Sequence, residues 1–166
     1  MTTPTDNLTK VHLDLPNHWW FKGESLWAKD LGGDLYEIQN IPFCAYGLNC
    51  GDVVRATPDG PDLKPEVRAV VKRSGNRTLR ISFCDELSKE QQQPCLDALK
   101  SMGAELERAN EQFVCVNVLP SADYDGIVAH LVQLEGEGSL EYETCEERVP
   151  GSFDYDPERD DDEGKD

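Results

Sequence analysis

The chain has 166 residues, 38% apolar and 30% charged, with 33 acidic residues against 16 basic ones and a formal net charge of −17. That length suits one domain or two small ones with a self-sufficient core, and the charge argues against nucleic acid or an anionic membrane surface as partner. No apolar run reaches membrane-spanning length, and residues 1–10 lack the basic and apolar regions of a secretory signal, so a cytoplasmic protein is expected.

Residues 1–9 are polar and read as a flexible leader. Val11, Leu13 and Leu15 then alternate with polar residues, which predicts a half-buried strand ending at Pro16. The aromatic run Trp19-Trp20-Phe21 follows, then Ser25-Leu-Trp-Ala-Lys29, and Asp30-Leu-Gly-Gly-Asp34 predicts a turn into Leu35–Ile38. Gly51-Asp-Val-Val-Arg55 has the form of a turn entering a strand. After a loop rich in Pro and Asp (58–65), Val67–Lys72 and Thr78–Phe83 flank Ser74-Gly75-Asn76, which predicts a hairpin.

Beyond Phe83 the periodicity changes. Ser88-Lys-Glu-Gln91 has capping-box spacing and opens a helix with Leu96, Leu99 and Met102 on one face and Gly103 as its stop. Pro94 is awkward there and offers a competing start about five residues later. Two strands are expected over 104–108 and 112–119. A second helix, capped by Ser121 or Asp123, turns Ile127, Val128, Leu131 and Leu134 inward. Leu140, Tyr142 and Thr144 mark a last strand. The expected architecture is α+β: a small SH3-like β-barrel over 10–77, a ferredoxin-like βαββαβ half over 78–149, and a disordered acidic tail over 150–166.

The six cysteines are widely spaced with no C-x-x-C pair, which points to buried free thiols rather than a zinc or redox motif. His12, His18 and His130 show no metal spacing, and no Ser or Cys sits on a nucleophile elbow. Neither a catalytic residue nor a cofactor is therefore expected. Asn40-Ile-Pro-Phe43 reads as a crossover with Ile41 and Phe43 in the core and Asn40 bonding backbone, and Asp52 as a turn carboxylate capping nearby amides. Arg68, Lys72, Arg73, Arg77 and Arg80 form a local cationic cluster, expected on a solvated strand face.

The string Trp20-Phe-Lys22, Glu24-x-Leu-Trp-Ala28, Tyr36, Asn40-Ile-Pro-Phe43, Gly47-Leu48 and Gly51-Asp-Val-Val54 resembles the bacterial proteins catalogued as domain of unknown function 4265, over roughly residues 10–145. The resemblance implies a small cytoplasmic bacterial protein without an established enzyme chemistry, for which an immunity role against a toxin is plausible.

Charge is concentrated at the C-terminal end, where residues 135–166 hold fourteen Asp or Glu against Arg148, Arg159 and Lys165. A one-signed patch steers oppositely charged partners. The expected function is an acidic binding protein, an immunity or antitoxin-like inhibitor that occludes a basic toxin or effector domain. Glu135, Glu137, Glu141, Glu143, Glu146 and Glu147 are the expected acidic contact residues, with Trp19, Trp20 and Trp27 as aromatic anchors. The alternative is a small-ligand or regulatory module.

Overall fold

The computed structural model describes residues 8–18 and 21–155. The chain divides into two compact units, one formed by residues up to Ser74 together with those from Glu146 onward, the other by Gly75–Cys145. Two helices and two sheets make it a mixed α+β protein. Among the described residues no helix is long and apolar enough to cross a membrane.

In the first unit, strands β1 (Leu8–Asp14), β2 (Gly23–Gly32), β3 (Leu35–Ile38), β4 (Val53–Pro58) and β5 (Pro65–Lys72) are hydrogen-bonded in sequence order and close on themselves. Neighbours run antiparallel, and the ring closes through a short parallel contact pairing His12 of β1 with Glu66 of β5. Strand alternation sorts the side chains: Val11, Leu13, Leu26, Ala28, Val54, Ala56 and Val67 point inward, while Lys10, His12 and Asp14 line the outer side of β1. The β2–β3 reversal carries Gly32, Gly33 and Asp34 at positive φ, where glycine avoids the clash a Cβ creates, and Asp30 Oδ1 accepts the Gly32 N–H at 2.9 Å. Leu8 and Thr9 already pair with Lys29 and Ala28, so β1 starts inside the expected leader. Residues 1–7 lie outside the described residues.

In the second unit, β6 (Arg77–Phe83), α1 (Lys89–Ser101), β7 (Ala104–Arg108), β8 (Phe113–Val118), α2 (Tyr124–Gly136) and β9 (Leu140–Thr144) build an antiparallel sheet in the order β7-β8-β6-β9. Leu79, Ile81 and Phe83 of β6 and Val114, Val116 and Val118 of β8 form one face, which receives Cys95, Leu96 and Leu99 of α1 and Ile127 and Leu131 of α2. Thr78, Arg80, Cys115 and Asn117 on the opposite face are buried as well, which explains the near-continuous apolar run of β8.

Ser88 caps α1 with both bonds of the capping box, so the box sets the start of the helix. Pro94 sits inside the helix and removes one backbone donor without ending it. Asp123, rather than Ser121, caps α2, its Oδ1 accepting the Gly126 N–H at 3.0 Å.

Two expectations need correction. β5 and β6 do not form a hairpin: the edges of β5 are taken by β4 and β1, and those of β6 by β8 and β9. Instead, the Ser74-Gly75-Asn76 turn carries the chain from one unit to the other. The tail expected to be disordered from residue 150 holds defined positions through Tyr155. Phe153 O accepts the Tyr46 N–H at 2.9 Å, Asp154 Oδ2 accepts the Asn17 N–H at 2.9 Å, and Asp154 and Tyr155 are buried. Here two aromatic rings and a capping carboxylate outweigh the acidity of the flanking sequence. The expected disorder of 156–166 concerns residues outside those described.

Candidate functional site

The most distinctive residues of the first unit hold its backbone. Residues 39–52 form an irregular segment that buries Cys44, Ala45, Tyr46 and Leu48 and so must satisfy its amides without a ladder. Glu24 does this from β2: Oε1 accepts the N–H groups of Cys44 (3.0 Å) and Ala45 (2.8 Å), and Oε2 that of Phe43 (3.0 Å). Asn40 Oδ1 accepts the Trp27 N–H at 2.6 Å, and Ile41 is buried with Phe43 packed on the core. Asp52, fully buried, accepts the amides of Asn49 and Ser74 at 2.9 Å each, with Arg73 Nη1 at 3.4 Å. Asn40 and Asp52 thus have the structural roles expected of them.

Of the cationic cluster, Arg68, Lys72, Arg73 and Arg77 are exposed, as expected of a solvated strand face, and Arg80 is buried. Arg68 bonds Thr57 and Asp59, and Arg73 donates to Gly47 O. Arg77 lies 3.5 Å from the centre of the Tyr124 ring, and the Arg80 side chain is 1% exposed with its Nε 3.0 Å from Glu143. Each guanidinium therefore has a local partner. Alternation in β6, continued from Thr78 through Ser82, places Arg80 on the sheet face away from the helices.

The expected acidic residues separate into two groups. Glu135, Glu137, Glu141 and Glu143 belong to the second unit, whereas Glu146 and Glu147 belong to the first. Glu135 and Glu141 are exposed and, with Asp85, line an open groove of about 690 Å³ at the ends of β6 and α2 and along β9. Among the described residues no Lys or Arg lines it. Glu135 Oε2 also accepts the Tyr142 N–H at 3.3 Å, which caps one amide of edge strand β9. Glu137 caps the end of α2 and bonds Gln133 at 3.2 Å. Glu143 is half-buried and engaged by Arg80, so it neutralises an internal cation rather than extending the exposed row with Glu141. Glu147 accepts the Gly151 N–H at 3.1 Å.

Trp27 is 45% exposed on β2, with Lys10 Nζ 5.0 Å from its ring centre. Trp19 and Trp20 lie outside the described residues.

A second grouping went unseen in the sequence. His12 and Asp14, two apart on the outer side of β1, meet Glu66 across the ring closure. His12 Nδ1 is 2.7 Å from Glu66 Oε1 and 3.6 Å from Asp14 Oδ1, and Glu66 Oε2 accepts the Asp14 N–H at 2.8 Å. A groove of about 430 Å³ opens beside them, walled by the loop that carries Asp59, Asp62, Leu63 and Lys64. Glu66 lies 54 residues from His12 and is joined to it only by the β1–β5 contact, so spacing carries no trace of the set.

Comparison with known proteins bears on family and fold. No curated protein matches the chain. A crystal structure of a hypothetical protein from Neisseria gonorrhoeae superposes with a TM-score of 0.70 at 20% identity, covering 84% of this chain and 94% of that one. Its likeness extends the mixed α+β fold to a solved structure. A family model described as domain of unknown function (DUF4265) matches residues 24–142, the span that holds Glu24, Asn40, Asp52 and the strands from β3 to β8. The chain belongs to the DUF4265 family.

Proposed function

We propose that the protein is an acidic binding protein that occludes a basic partner, in the manner of an immunity protein or antitoxin. The observation that carries this reading is the groove of the second unit, where Asp85, Glu135 and Glu141 are gathered with no cation among the lining residues. A Lys or Arg side chain entering it would meet several exposed carboxylates at once, each able to accept a charge-assisted hydrogen bond. The net charge of −17 would speed encounter with a cationic partner, and packing would set the lifetime of the complex. Exposed Trp27 suits an aromatic anchor.

We also read the five-strand ring as SH3-like and the second unit as ferredoxin-like. Support for the latter is the βαββαβ order with a β9-β6-β8-β7 sheet and both helices packed on one face.

The test is affinity recovery of partners from the native host at low and high salt, with wild type beside a Glu135→Gln/Glu141→Gln double variant. A stoichiometric basic protein, recovered at low salt, lost from the variant and inhibited by the wild type, is the expected result. Recovery of no such protein at low salt, or equal retention by the variant, would count against the reading. The second reading, a small-ligand or regulatory module, draws support from the groove beside His12, Asp14 and Glu66. A metabolite that raises the melting temperature in a dose-dependent way would favour it.

A further inference from the structure

We propose that His12, Asp14 and Glu66 form a binding site for a divalent transition-metal ion. Three observations combine. First, His12 Nδ1, a carboxylate oxygen of Asp14 and one of Glu66 all lie within 4.8 Å of one another. Bonds of about 2.0–2.2 Å from a shared ion to such N and O ligands place the ligand atoms about 3.0–3.4 Å apart at tetrahedral or octahedral angles. The present separations of 2.7 Å and 3.6 Å from His12 Nδ1 bracket that range, and side-chain rotation of the exposed Asp14 can bring its carboxylate to a shared ion.

Second, the backbone organises the three donors before any ion arrives. His12 and Asp14 share the outer side of one strand, and Glu66 is the register partner of His12 on another. The imidazole is further positioned by Gly23, where an added Cβ would sit 3.1 Å from His12 Nε2 and 2.8 Å from Leu13 O. A side chain at position 23 would therefore push the ring from its place. With glycine there, Nε2 rests against backbone and Nδ1 faces the carboxylates.

Third, the set adjoins a groove that provides access for an ion and room for water in its remaining coordination positions. Lys64, the cation on its wall, donates to Ser25 Oγ at 3.2 Å, and Arg68 is bonded to Asp59 and Thr57.

One imidazole with two carboxylates selects the class of ion. Calcium and magnesium prefer all-oxygen shells, and soft ions prefer thiolates, so the set suits Zn²⁺, Mn²⁺, Co²⁺ or Ni²⁺. On binding, the ion takes the place of the hydrogen bond between His12 Nδ1 and Glu66 Oε1, with His12 coordinating as a neutral imidazole.

The experiment uses the full-length protein without a histidine tag, stripped with chelator, and titrates it with Co²⁺ by visible absorbance and with Zn²⁺ by calorimetry. One equivalent is expected, with weak d–d bands of an N/O environment. Asp14→Asn should lower affinity at least about tenfold while leaving the fold intact, because the Asp14 side chain is 69% exposed and its bond to Glu66 is made by the backbone. Glu66→Gln should lower it further. Absence of saturable binding at millimolar Co²⁺ would overturn the assignment. Affinity unchanged in Asp14→Asn, which would place the ion on the acidic tail, would do the same, as would an intense near-ultraviolet thiolate band. If Glu66→Gln fails to fold, Asp14→Asn alone decides.

Discussion

Replacing Glu24 tests whether its carboxylate serves the fold. Its carboxylate accepts three backbone amides from Phe43, Cys44 and Ala45, in a segment with no ladder to replace it. Hydrogen bonds to a charged acceptor each contribute about 1.5–3 kcal/mol net, and an amide left dry costs about 1–3 kcal/mol. The site is half-buried, so water can reach part of it, and Glu24→Ala should cost about 3–4 kcal/mol rather than the full sum. Glu24→Gln keeps one oxygen for Cys44 and Ala45 but turns an NH₂ toward the Phe43 amide, and should cost about 1–2 kcal/mol. Trp27 lies on β2 of the first unit, so its indole fluorescence during urea unfolding follows that unit. With a urea slope of about 1.5 kcal/mol/M, the midpoint should fall by about 2 M for Glu24→Ala. A loss below about 1 kcal/mol at unchanged slope would refute the structural role, and the motif would then need a functional explanation.

Other predictions follow from single contacts. Glu143→Gln should destabilise the second unit by about 2–4 kcal/mol, because it strips the counter-charge from buried Arg80; far-UV circular dichroism monitors this, since α1 and α2 both lie in that unit. Gly103→Ala should cost about 2–3 kcal/mol in the same assay, since φ is +101° and the new Cβ would meet Ala122 Cβ at 2.7 Å. Burial pushes the Cys95 thiol up to about 11, so the folded chain keeps its proton after the unfolded chain has lost it. The folded state then binds more protons, and stability should decline as pH rises from about 9 toward 11; Cys95→Ala should flatten that decline in chemical denaturation at several pH values.

Local chemistry was the legible part of this molecule. Alternation at Val11 and Leu13, the Ser88–Gln91 box and the Ile127–Leu131 stripe each declare an element within a few residues, and the elements follow. Pairing was less accessible. Ser74-Gly75-Asn76 has the composition of a hairpin turn, yet a turn reverses the chain without choosing which strands bond, and β5 and β6 both had better partners. Charge misled in a related way. Arg80 and Glu143 read as two surface groups of opposite sign, but alternation of β6 and β9 brings them together across one register pair. The grouping of His12 with Glu66 likewise depends on a single parallel contact between distant strands.

The return of residues 146–155 to the first unit makes the second an insertion in the sequence of the first. Its two ends lie side by side, since the Cys145 N–H bonds Thr78 O at 3.2 Å, so it can close as a self-contained loop in the chain. On the ribosome its whole sequence emerges before Phe153 and Asp154, which supply the acceptors for the Tyr46 and Asn17 amides. Those two amides of the first unit therefore lack these acceptors until the nested unit has been synthesised. The order of completion is the reverse of the order in which the units begin.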